Sequence, residues 1–232
     1  MNKKVQLQDL GSIAYKEAWD YQDKLFQSII DVKINNRKKG LEQSTSNYFL
    51  FVEHPPVYTL GKSGNLNNLL LSEIELKAKD VTFYKSNRGG DITFHGPGQI
   101  VGYPIFDLEN FFTDIHKYLR YLEEAILLTL SDYGLKAARS PGETGVWFDV
   151  GTPFARKICA LGVRSSRWVS MHGFALNVNV DLGYFDHIIP CGIQGKAVTS
   201  MQAELGKKIP EMEVKEKITQ HLADLFALEF IV

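Results

Sequence analysis

Cys191 stands in Ile188-Ile-Pro-Cys-Gly-Ile193, where Pro190 fixes the backbone and Gly192 removes a side chain beside the sulfur. A thiol in that setting is a candidate nucleophile, provided a nearby cation or hydrogen-bond donor stabilises the thiolate. The plain alternative is a small buried hydrophobe, the usual fate of a free cysteine. Lys157 opens the apolar run Lys157-Ile-Cys-Ala-Leu-Gly162, which puts its side chain near a sheet end. There it is either solvated, like most lysines, or partly buried and able to pair with a thiol or serve as a base. Cys159, two residues on in the same apolar run, is expected to pack in the core. His54, His95 and His172 show no metal-ligand spacing, so hydrogen-bonding and structural roles are expected for them and no metal site. Neither a P-loop nor a dinucleotide-binding glycine pattern occurs.

Glycine and proline concentrate in Arg88-Gly-Gly-Asp-Ile-Thr-Phe-His-Gly-Pro-Gly-Gln99 and on to Ile105, so backbone shape is being specified there, and a glycine-rich wall lets backbone approach a ligand closely. That block is followed in order by Gly145-Val-Trp147, Lys157-Ile-Cys-Ala-Leu-Gly162, His172-Gly-Phe-Ala-Leu-Asn-Val-Asn179 and Pro190-Cys-Gly-Ile193. Together, from about Tyr48 to Met201, they closely resemble the lipoyl(octanoyl) transferases, the octanoyl-[acyl carrier protein]:protein N-octanoyltransferases of lipoate biosynthesis. The resemblance implies an α+β fold, a mixed sheet flanked by helices, similar to the catalytic domain of biotin and lipoate protein ligases. It implies that Cys191 carries an acyl thioester and that Lys157 lowers the pKa of that cysteine. The substrate-contact residues it implies are Arg88, Gly89, Gly90, Asp91, Ile92, Thr93, Phe94 and His95, then Ala160, Leu161 and Gly162, then Gly173, Phe174 and Ala175. It implies no cofactor, octanoyl acyl carrier protein as donor, and as acceptors the lipoyl domains of 2-oxoacid dehydrogenase complexes and the glycine cleavage H protein.

Two departures from the family pattern stand out. Phe94 occupies a place where the family commonly has Tyr, keeping an aromatic wall without its hydroxyl, and Cys159 stands where Ala is usual, adding a thiol near Lys157. Two rival functions remain for this set of residues: an ATP-dependent lipoate ligase on the same fold, and a non-enzymatic acyl or cofactor binding module.

The elements that must position these residues are legible in outline. The chain has 232 residues, 44% hydrophobic and 23% charged, which fits a soluble globular protein and one domain over 1–232. A formal net charge of −1 gives no global reason to expect nucleic acid or membrane binding, although Arg37-Lys38-Lys39, Arg156, Arg164 and Arg167 can steer acidic protein substrates locally. No export signal and no long apolar run occurs, and two cysteines are too few for a disulfide framework, so a cytoplasmic location is expected. Apolar spacing predicts helices over Ser12–Ile30, Ser72–Lys79, Val198–Leu205 and Glu211–Leu228, and one capped by Asp114 and closed by Gly134. Strands are predicted at Tyr48–Val52, Val57–Leu60, Val81–Tyr84, Gly145–Val150, Ile158–Val163 and Val169–Val180, with Lys33–Ser46 and Gly61–Leu71 as loops.

Overall fold

In the strand β2 (Tyr48–Glu53) Phe49 and Phe51 belong to one apolar cluster while Leu50 and Val52 belong to another, and all four are essentially inaccessible to solvent. A strand alternates its side chains between faces, so an unbroken apolar run means a sheet covered on both sides. The computed structural model describes residues 1–189 and 197–231 and shows that sheet. Its other strands are β1 (Lys4–Ser12), β6 (Gln99–Ile105), β7 (Val146–Phe148), β8 (Arg156–Ser166), β9 (Val169–Asn177), β10 (Ala197–Val198) and β11 (Glu229–Ile231). The order across it is β10-β8-β9-β6-β2-β1-β11, with β7 also paired to β8. Parallel pairs (β1 with β2 and β11, β10 with β8) sit beside antiparallel ones, so the sheet is mixed.

The helix α1 (Tyr15–Lys39) covers one face through Ala18, Leu25, Phe26, Ile29 and Ile30. The opposite face packs against α3 (Ile115–Asp132) and α5 (Glu211–Phe226), with Leu122, Ile126, Ile218 and Leu222 fully buried between them and the sheet. The strands β3 (Val57–Leu60), β4 (Thr82–Lys85) and β5 (Ile92–His95) form a second small sheet in the order β4-β3-β5. Its core includes Tyr58, Phe94, Phe185 and Leu76, the last from the short helix α2 (Glu73–Ala78). No described helix is long and apolar enough to cross a membrane.

Several expected boundaries shift. The first helix runs on to Lys39, through residues expected to form a loop, and is closed by Gly40 in a left-handed conformation (φ +64°) whose N–H donates to the Asn36 carbonyl. The run Arg37-Lys38-Lys39 is thus its last turn, where cations favour the negative end of the helix dipole. The predicted helix Val198–Leu205 divides: Ala197 and Val198 join the sheet as β10, and Ser200 caps α4 (Met201–Leu205) by accepting the Ala203 N–H. Strands β1 and β11 have no counterpart among the expectations; they pair with each other from opposite ends of the chain. Asp114 does cap α3, accepting from the Lys117 N–H at 3.0 Å, and Gly134 (φ +75°) follows that helix as anticipated.

Candidate active site

Residues 86–91, between β4 and β5, fold around Arg88. Its guanidinium is buried, and Nη2 donates to the carbonyls of Thr59 (2.6 Å) and Asp91 (2.7 Å) while Nη1 donates to that of Gly89 (2.9 Å). Arg88 therefore shapes a backbone wall, and three main-chain bonds make it part of the fold. The Gly89 N–H donates to the Val163 carbonyl at 3.0 Å, which lays that wall on β8. The approach is close: a Cβ at Gly162 would lie 2.8 Å from the Gly89 oxygen, so no side chain fits there.

Between this wall, β8 and β9 lies a cavity of about 370 Å³, at the small end of the ~300–1,000 Å³ typical of small-molecule sites. Every expected substrate-contact residue except Phe94 lines it, and so does Lys157. Phe94 is the exception: Thr93 and His95 face the cavity, whereas Phe94 points into the core of the small sheet and stacks on Tyr184 at 4.5 Å. The expected aromatic wall is thus a packing element behind the site.

Lys157 is the second residue of β8, where the strand is paired by β7 (Trp147 opposite Lys157) and by β10 (Val198 opposite Lys157). Its Nζ lies 4.5 Å from the Trp147 ring centroid, a cation–π contact, so the stem is walled by an aromatic face. Cys159, expected in the core, is fully buried there; burial first, then the Glu123 carboxylate, push its thiol far above the usual range. It does not line the cavity. Cys191 lies outside the described residues. Earlier and later in the chain, Phe185 and Val198 line the cavity, and the Ile189 N–H donates to the Asn68 carbonyl at 2.8 Å.

The three histidines scattered in sequence meet in space. His54 Nδ1 donates to the Ile13 carbonyl (2.8 Å), which leaves Nε2 to accept from the Tyr103 hydroxyl (2.8 Å). His95 Nδ1 donates to Gln99 Oε1 (2.7 Å), and its ring stacks on Tyr15 at 6.0 Å. His172, with the unusual φ of +61° inside β9, contacts Asn87 through Nε2 at 2.6 Å and donates its backbone N–H to Gln22 Oε1 at 3.1 Å. Burial holds all three rings neutral, with pKa values near 4 for His54 and near 3 for His95 and His172. All three are hydrogen-bonded in their neutral form, and two of them, His95 and His172, also line the cavity.

Among the lining residues that sequence reasoning missed are Tyr15, Gln99, Tyr103, Glu143, Thr144, Asn177 and Val198. Gln99 and Asn177 lie inside the quoted motif blocks and are joined by a 2.9 Å hydrogen bond, so their motif membership was the available signal. Tyr15 offered none, because it reaches the site from a helix whose sequence shows only amphipathic spacing. Of the basic residues expected to steer substrates, Arg156 pairs with Glu204 (2.6 Å) and Asp149, and Arg164 sits over the Phe26 ring.

Residues 14–223 match the lipoyl protein ligase A/B catalytic domain family. The chain belongs to that family. It is 71% identical over 230 residues to the octanoyltransferase of Christiangramia forsetii, covering 99% of this chain and 98% of that one, and 71% identical over the full length of both chains to the octanoyltransferase of Flavobacterium johnsoniae. Among solved structures, a bipartite lipoate protein ligase from Thermoplasma acidophilum superposes with a TM-score of 0.71 at 15% identity, over 99% of this chain and 86% of that one. Within the family the chain stands with the octanoyltransferases: it is an acyltransferase on the lipoate ligase fold.

Proposed function

We propose that the protein transfers an octanoyl group from octanoyl acyl carrier protein to the side-chain amine of a lysine on lipoyl domains, in the cytoplasm, through a thioester on Cys191. The observation that carries this reading is a cavity lined by Lys157, by the apolar Ala160, Leu161, Phe174 and Ala175, and by Phe185 and Val198. In the first half-reaction the Cys191 thiolate attacks the thioester carbonyl, the tetrahedral oxyanion collapses, the carrier sulfur leaves as a thiol with a proton from the Lys157 ammonium, and the acyl group remains on Cys191 beside the now neutral Lys157 amine. In the second, the acceptor amine attacks the acyl-enzyme, the Cys191 sulfur leaves, and the proton released from nitrogen is taken by Lys157 or by the departing thiolate. Lys157 as the ammonium favours the thiolate before attack. Backbone N–H groups near Leu161 and Gly162 are the candidate oxyanion donors. Each CH₂ of the acyl chain removed from water adds about 0.8 kcal/mol, enough over eight carbons to retain the chain once the carrier has left. The substrate-contact roles of Arg88 to His95, Ala160 to Gly162 and Gly173 to Ala175 belong to the same proposal, with Phe94 acting through packing.

The test is transfer without nucleotide. Octanoyl acyl carrier protein and a lipoyl domain should give the octanoylated domain in the absence of ATP. Product formed only from free octanoate plus ATP would replace this reading with that of a ligase.

A further inference from the structure

Glu123 faces inward from α3, between Leu122 and Ala125, in the apolar layer beneath the sheet. Its side chain is 0% exposed. Removing a carboxylate from water is costly unless pairing and hydrogen bonds compensate it. Here one oxygen is paired with Arg120 (2.6 Å) and Arg139 (3.1 Å), and the other, Oε1, accepts the Gly145 N–H at 2.9 Å. The arginines account for the charge. The Gly145 bond points elsewhere, toward the strand that carries Lys157.

Gly145 has φ +123°, and a Cβ placed on it would lie 2.7 Å from the Cys159 carbonyl oxygen and 3.4 Å from Lys157 Cε. It therefore packs on the stem of Lys157. The next residues form β7, whose register on β8 shifts between Val146 and Trp147, and this shift sets Trp147 opposite Lys157. Just before Gly145, Glu143 and Thr144 line the cavity. The Gly145 N–H is thus the point at which α3 fixes both the Trp147 face beside the ammonium and the rim above it.

We propose that Glu123 is a positioning residue for Lys157: by holding the Gly145 N–H it fixes the Lys157 stem and the Trp147 ring in the geometry that serves Cys191. The proposal rests on the role given to Lys157 under the proposed function. A scaffold role alone would lower stability when the Gly145 bond is lost and leave the pH profile of Cys191 alkylation where it is.

The experiment compares Glu123→Leu, Glu123→Gln and Lys157→Ala in a Cys159→Ser background, reading kcat and KM for octanoyl transfer and the pH dependence of Cys191 alkylation. Leu keeps the volume and loses the acceptor; Gln keeps an acceptor for the Gly145 N–H. Glu123→Leu should lower kcat roughly tenfold or more, the scale of a lost positioning contact, with KM nearly unchanged. It should also move the alkylation profile to higher pH, toward that of Lys157→Ala, and Glu123→Gln should restore most of both. If the Leu variant does not fold, Glu123→Asp serves, since it keeps the charge for the arginines and withdraws the oxygen from Gly145; it should shift the profile in the same direction. A folded Leu or Asp variant with the wild-type profile and kcat, while Lys157→Ala shifts the profile, overturns the Glu123 role alone. An unchanged profile in Lys157→Ala removes the lysine reading, and the Glu123 role with it.

Discussion

The two cysteines are expected to play different parts. Cys159 is sealed in the layer beneath the sheet, and burial with the nearby Glu123 carboxylate keeps its thiol protonated at neutral pH. Cys159→Ser should therefore leave most of the transfer activity, whereas Cys191→Ser should abolish it, as read by initial rates of octanoylation. The reverse pattern would exchange the two assignments. Lys157→Ala should raise the pH at which Cys191 is alkylated, because a thiolate loses a neighbouring ammonium. An unchanged alkylation profile with activity retained would remove the lysine from the mechanism. Most of the cavity wall was legible at this scale, since motif residues such as Lys157, Gly162 and His95 all reach it. The orientation of Phe94 was not, because a motif names a residue without saying which face of β5 it occupies.

Among the elements, strands whose apolar residues form continuous runs were read correctly, and so was α3 with its Asp114 cap. The misses share a cause. Strand β1 is held by β11, more than two hundred residues away in the chain, and by β2, so its two inward apolar positions, Val5 and Leu7, carry little local signal. The end of α1 is polar because it outruns the sheet it covers, and only Gly40 and the three basic residues mark it as helix. Packing between β6 and β9 gives a sharper prediction. A Cβ on Gly102 would run into the Phe174 ring, so Gly102→Ala should displace that ring and lower stability by about 1–3 kcal/mol, measured by urea unfolding. An unchanged midpoint would mean that the ring moves freely. Ala160 lines the cavity from β8, so Ala160→Leu should reduce transfer of octanoyl more than butanoyl groups. Equal loss for both chains would place the acyl tail elsewhere.

At the scale of the whole molecule, the buried histidines tie stability to pH. Unfolded, each takes up a proton near its ordinary pKa of 6.5; folded, His54 resists down to about 4 and His95 and His172 down to about 3. The unfolded state therefore binds more protons across that interval, and stability is full above pH 6.5 and falls as pH drops toward 4, by up to about 1.4 kcal/mol per pH unit for each ring. The urea midpoint should thus be clearly lower at pH 5 than at pH 7.5. Equal midpoints would show that these rings titrate alike in both states. The cluster was invisible in the sequence because its members come from three separate segments, and only the packing of α1 against the sheet and the small β4-β3-β5 sheet brings them together.

The central claim is a covalent acyl-enzyme on Cys191, and the intact mass of the protein after exposure to octanoyl acyl carrier protein, without acceptor, tests it most directly. One octanoyl group should appear on the wild-type and Cys159→Ser proteins, be absent from Cys191→Ser, and be lost when a lipoyl domain is added. An adduct retained by Cys191→Ser, or efficient transfer with no adduct at any time, would contradict the account.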